Sequence, residues 1–176
     1  ILAMALLLGF AACSGGVPKN TVFSVDDLPG KKIGVQLGTT GDIYASDYEE
    51  EGSVIERFTK TTDAVQALKQ GKIDCIIIDE APAKVFVEKN SDLMILEEPF
   101  ETEQYAICVS KDNPELTAAI NDALRQLKED GTLDKIIGNY IGTDTVGTFQ
   151  YKSTNSDYSN GKLVMATEAT FPPYEY

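Results

Sequence analysis

Apolar positions along this chain fall into short blocks that alternate with helical stripes. Lys31–Gln36 is an apolar-rich run that enters the loop Leu37-Gly38-Thr39-Thr40-Gly41. Val54–Phe58, Ile73–Ile78 and Leu93–Leu96 are three further strand-like runs. Ile73–Ile78 is nearly continuous in apolar residues, as a strand covered on both faces should be. Between these runs the spacing predicts helices over Asp42–Glu51, stopped by Gly52, over Thr61–Gln70, stopped by Gly71, and over Ala81–Asn90. Thr62 is a candidate cap for the second, with Ala64, Val65 and Leu68 on its apolar face. Pro82 suits the first turn of the third. The β-α-β-α-β-α-β order predicts a mostly parallel sheet. Gln104–Val109 reads as a strand leading out of that unit. Asn113-Pro114 then opens an amphipathic helix with Leu116, Ile120, Ala123, Leu124 and Leu127 on one face. Asp130-Gly131 ends it, and Thr132–Tyr140 is a shorter helix.

Two strand-to-helix crossings hold the candidate chemistry. In open α/β sheets, ligands sit outside the carboxyl ends of the strands. The first crossing, with Gly38, Thr39 and Thr40, offers backbone N–H groups at a helix start, which suit an anion. GTTGD lacks the lysine of a phosphate-binding P-loop. The second crossing ends on Asp79, whose carboxylate suits a cation. An anion site and a cation site together suit a free amino acid, which carries both charges on one carbon. Each residue also has a plainer reading as a helix cap.

The chain has 176 residues, enough for one sizeable domain or two small lobes. Its 15 basic and 28 acidic residues leave a net charge of −13, which argues against a nucleic-acid partner. There is no histidine, so Ser-His and Cys-His catalysis are excluded and no metal site is expected. Cys75 and Cys108 lie in apolar runs and are expected to be free and buried. Ile1–Phe10 is apolar and too short to span a bilayer, and small residues follow it around Cys13.

Ala11-Ala12-Cys13 after that segment resembles a bacterial lipobox. SVDDLPGKKIGVQLGTTGD, GKIDCIIIDEAPA, QYAICVSKDNPEL and LKEDGTLDKIIGNYIG follow in turn. In that order these motifs resemble the signal and second half of the amino-acid solute-binding proteins of ABC transporters, family 3. The resemblance implies an α/β, periplasmic-binding-protein-like II fold, here one complete lobe with a parallel-rich sheet plus part of the second lobe. It implies a lipoprotein signal peptide and lipobox at 1–16 and a ligand-binding lobe at 24–104. A hinge strand and C-terminal helices of the other lobe follow at 105–142. A polar linker at 143–160 then leads to that lobe's first strand and aromatic loop at 161–176.

The implied function is extracytoplasmic binding of a free, polar amino acid, delivered to a membrane permease, with no cofactor and no reaction. Cys13 would be lipidated and anchor the protein to the bacterial cell membrane. Thr40, with Gly38 and Thr39, would hold the ligand carboxylate, and Asp79 the ammonium. Glu168 and Phe171 would meet the ligand from the other lobe, with Glu168 standing where the family more usually has aspartate. GKLVMATEATFPPYEY resembles the family's first strand, yet follows the C-terminal helices. Circular permutation, a tandem of two domains and a joined fragment all account for that order. The region carrying the family's carboxylate-binding arginine is expected to fall outside these residues. Two rival readings use the same scaffold: a dehydratase-like enzyme, for which Glu168 is the only candidate acid or base, and the ligand-sensing domain of a receptor.

Overall fold

The computed structural model describes residues 20–142, 144–153, 159, 161–168 and 171–175. Cys13 and the apolar N-terminal segment lie outside the described residues. The chain divides into two compact units, Ile1–Ile77 and Ile78–Tyr176, a division that falls within the stretch 24–104.

The first unit is a three-stranded, all-parallel sheet in the order β2-β1-β3. β1 is Lys32–Gln36, β2 is Val54–Phe58 and β3 is Cys75–Ile76. β1 is central because it pairs on both sides, with Ile33 opposite Ile55 in β2 and opposite Cys75 in β3. Its burial follows from that position: Ile33, Gly34 and Val35 are all buried. Gly34 is small for a packing reason, since a Cβ there would lie 2.5 Å from Ile73 Cδ1. Two helices, α1 (Thr40–Ser46) and α2 (Thr61–Lys69), pack on β1. Ala45, Ala64, Val65 and Ala67 complete the core from the helices.

Several local expectations are corrected. α1 starts at Thr40 and gives way at Asp47–Glu51 to a 3-10 turn, closed by Gly52 in the left-handed region at φ 86°. α2 is not capped by Thr62. Lys60 holds the cap position without a side-chain bond, and the Thr61 hydroxyl donates to Gln36 Oε1 at 2.7 Å. β3 covers only two residues of the apolar run Ile73–Ile78.

The second unit carries α3 (Glu80–Lys89), α4 (Pro114–Glu129) and α5 (Thr132–Ile141). Asn113 caps α4 by accepting the Leu116 N–H at 3.1 Å, and Pro114 occupies its first turn. α4 packs on α5. Phe149 N–H donates to the side chain of buried Asn139 at 2.7 Å, tying the chain after α5 back onto that helix. Leu93–Leu96, Gln104–Val109 and Lys162–Thr167 form no strand. A strand needs a neighbour to take its N–H and C=O groups, and no such ladder forms here. Their apolar side chains Met94, Tyr105, Ile107, Leu163, Val164 and Met165 are exposed accordingly. No helix among the described residues is long and apolar enough to cross a membrane.

Both described cysteines are free, but their settings differ. Burial, with the Asp74 charge adding to it, pushes the Cys75 thiol up to about 12. Cys108 is exposed, not buried as expected, because its segment joins no sheet. Since the thiolate is the nucleophile, iodoacetamide at neutral pH should label Cys108 in the folded protein and spare Cys75 until denaturant is added. Peptide mapping by mass spectrometry reads this directly, and equal labelling of the two would contradict the packing of β3.

Candidate functional site

In the first unit the crossing after β1 is built around Asp42. Thr39 is the N-cap of α1: its Oγ1 accepts the Asp42 N–H at 3.3 Å and donates to Gln36 O at 2.9 Å. Its own N–H donates to Gln36 O at 3.3 Å. Gly38 lies in the left-handed region at φ 79°, which glycine adopts without the penalty a Cβ imposes. The Gly38 N–H donates to Asp42 Oδ2 at 2.9 Å. Asp42 Oδ1 accepts from Arg57 Nε at 2.7 Å. Arg57 Nη2 also reaches Ser46 Oγ at 2.8 Å and Glu49 Oε1 at 3.2 Å. The Gly38 N–H bond, and then Arg57, hold the Asp42 carboxyl below its ordinary range against the opposing effect of burial.

Within the loop, the N–H groups of Gly38 and Thr39 and the Thr39 hydroxyl are engaged in shaping the turn. Thr40 is the first residue of α1 and is exposed. Gly41 follows it, and a Cβ there would come within 3.2 Å of Ile77 O, so the helix start lies close against the chain leaving β3.

In the second unit, Asp79 stands at the N-cap of α3 in an extended conformation and makes no side-chain capping bond. It is half-buried, and burial followed by the Glu103 charge pushes its carboxyl up. The charges of Asp79 and Glu80 add to burial in raising the Tyr174 hydroxyl. Tyr174 in turn sits 4.9 Å, centroid to centroid, from Tyr105 and stacks at 6.0 Å on Phe171. Phe171 thus belongs to an aromatic cluster beside an acidic group, a setting that attracts cations through both charge and ring faces. Glu168 is exposed.

Sequence reasoning named Asp79, Thr40 and Phe171 but missed Asp42, Arg57 and Glu103. Asp42 had a local signal, an acidic residue three positions after a threonine cap. Arg57 had none, because only strand pairing brings β2 beside α1. No group of residues suited to holding a metal occurs among the described residues.

Residues 77–143 match the model of the bacterial extracellular solute-binding proteins, family 3. The L-cystine-binding protein TcyJ of Escherichia coli K12 is 32% identical over 133 residues, covering 72% of this chain and 47% of that protein. Among solved structures, a mutant of ArgBP from T. maritima is 41% identical at a TM-score of 0.62, covering 75% of this chain and 55% of that one. An ancestral arginine-binding protein bound to arginine is 38% identical at 0.64, covering 70% and 56%. The chain spans about half the length of the curated relatives it matches. The parallel α/β unit, the matched stretch that begins where that unit ends, and relatives of this kind agree: the chain belongs to the bacterial extracellular solute-binding proteins, family 3.

Proposed function

We propose that the protein is the solute-binding component of an amino-acid ABC transporter, holding a free polar amino acid outside the cytoplasm. The observation that carries this is Asp79, a half-buried carboxylate with its pKa raised and no capping bond to its helix, next to the cluster of Tyr174, Tyr105 and Phe171. An ammonium group offers what that carboxylate needs, through a charge-assisted hydrogen bond. Thr40, at the start of α1, takes the carboxylate with the help of the helix dipole, while Gly38 and Thr39 shape the turn beneath it. Glu168 and Phe171 contribute from the loop they share. Lipidation of Cys13 anchors the protein at the membrane, where a permease receives the ligand. No reaction is assigned to the site. Relatives named for cystine and arginine binding support the amino-acid class. The ancestral arginine-binding protein, solved with arginine and also with glutamine, makes these the first ligands to try.

Isothermal titration of the full-length protein with a panel of L-amino acids tests the reading. The expected result is saturable binding of a polar amino acid and loss of binding when its amine or carboxylate is removed, as with agmatine for arginine. Binding that survives either deletion would refute the zwitterion site.

A further inference from the structure

We propose that this chain associates with a second copy of itself by strand exchange, the segment Lys162–Thr167 of each copy lying parallel to Gln104–Val109 of the other. Both segments belong to the second unit and have strand-like composition, yet neither enters a sheet. No backbone hydrogen bond joins either of them to another described residue. An extended run with unpaired N–H and C=O groups is a template for a further strand. Gln104–Val109 also forms one wall of a groove of about 230 Å³. Its apolar lining includes Tyr105, Ile107 and Val109 from this segment and Ile120 and Leu124 from α4. Tyr105, Ile107 and Val109 alternate in sequence, so they share one face of an extended chain. Tyr105 and Ile107 are both exposed, so the groove stands open.

The chain itself carries a segment that fits this groove. Leu163 is 66% exposed, and Val164 and Met165 are each 78% exposed, an unusual cost for three consecutive large apolar residues. With Lys162 set beside Gln104 in a parallel pair, Leu163 falls beside Tyr105, Met165 beside Ile107 and Thr167 beside Val109. Two apolar side chains then enter the groove on its own face. Charge selects the direction. The parallel arrangement brings Lys162 to the acidic end of the segment, at Glu101 and Glu103. The antiparallel one would bring Glu168 there and oppose like charges. The exchange is reciprocal, since each copy gives one strand and receives one, so a closed two-fold dimer gains two ladders. Cys108 lies on the opposite face of its strand from Ile107, away from the groove, so its thiol stays accessible in the dimer.

Sedimentation equilibrium of the full chain over a concentration series tests the exchange, with a monomer–dimer equilibrium as the expected result. Met165→Asp and Ile107→Asp each place a carboxylate in both ladders and should each weaken the dimer by more than about a hundredfold. Lys162→Glu should weaken it by about three- to tenfold, through like charges at the end of each ladder. Mixing the Met165→Asp chain with the Ile107→Asp chain is the decisive arm. The mixture retains one sound strand and one sound groove, on different copies, so it should form a heterodimer that neither variant forms alone. A melt on dilute, monomeric protein guards the reading, because Met165 and Ile107 are both exposed and neither substitution should shift it. A chain that stays monomeric at every concentration overturns the proposal. So does association that persists in Met165→Asp, which would place the contact on another surface, and so does a mixture that fails to associate. A lowered melting temperature in dilute Met165→Asp also overturns it, since the two segments would then pair within one copy. Unchanged association in Lys162→Glu overturns the parallel direction.

Discussion

Ile33→Ala should destabilise the first unit by roughly 2–5 kcal/mol, the usual cost of truncating a fully buried branched side chain. Ile33 is fully buried on the central strand, opposite Ile55 on one side and Cys75 on the other. The removed atoms lose their transfer energy, and the cavity cannot collapse easily because hydrogen-bonded strands flank β1 on both sides. A loss of that size is a large part of the roughly 5–15 kcal/mol that holds a typical domain together. Urea unfolding followed by circular dichroism should show a lower midpoint with an unchanged slope. Val54→Ala, at an exposed site on β2, is the matched control and should stay within about 0.5 kcal/mol. Equal effects from the two substitutions would mean that β1 is not the centre of the core.

Asp79→Asn should separate binding from stability. Loss of the charge-assisted bond to an ammonium should weaken amino-acid affinity by about ten- to a hundredfold, corresponding to roughly 1.5–3 kcal/mol. Stability should move the other way or stay level at neutral pH. The folded protein holds the Asp79 carboxyl above its ordinary value of 3.8, mainly through burial and then through Glu103. A group raised in this way disfavours folding once it ionises, at pH above its unfolded value, and the amide never ionises. Its side chain makes no capping bond whose loss would offset this. Calorimetric titration and a thermal melt on the same sample decide the matter. A clear drop in melting temperature with unchanged affinity would assign Asp79 to α3 and not to a ligand.

The elements legible in the sequence were those fixed by local punctuation. β1, β2, α4 and α5 follow their apolar spacing, with Gly52, Pro114 and Gly131 marking the boundaries. What escaped was set by partners distant in sequence. Leu93–Leu96, Gln104–Val109 and Lys162–Thr167 have strand-like composition, but pattern alone does not supply a neighbour to pair with. Thr62 looked like a cap for α2 until Gln36, from the adjoining strand, engaged Thr61 instead. The candidate site divides in the same way. Thr40 and Asp79 stood out because each ends an apolar run at a helix start. Arg57, on a different strand from the loop it braces, gave no signal. The motif resemblance named candidate ligand residues and did not reach the bonds that shape the loop around them.

The central place of β1 also bears on the order in which the first unit assembles. Its register joins Lys32 to Val54, 22 positions on, and Ile33 to Cys75, 42 positions on. Closing the longer loop costs about 0.6 kcal/mol more for each doubling of length, and only two residues of β3 share in the ladder. The β1-α1-β2 pair is therefore the favoured nucleus, and β3 joins it late. As the chain emerges from the N-terminus, each strand arrives to find its template already in place, so assembly proceeds outward without any strand having to be inserted between two others.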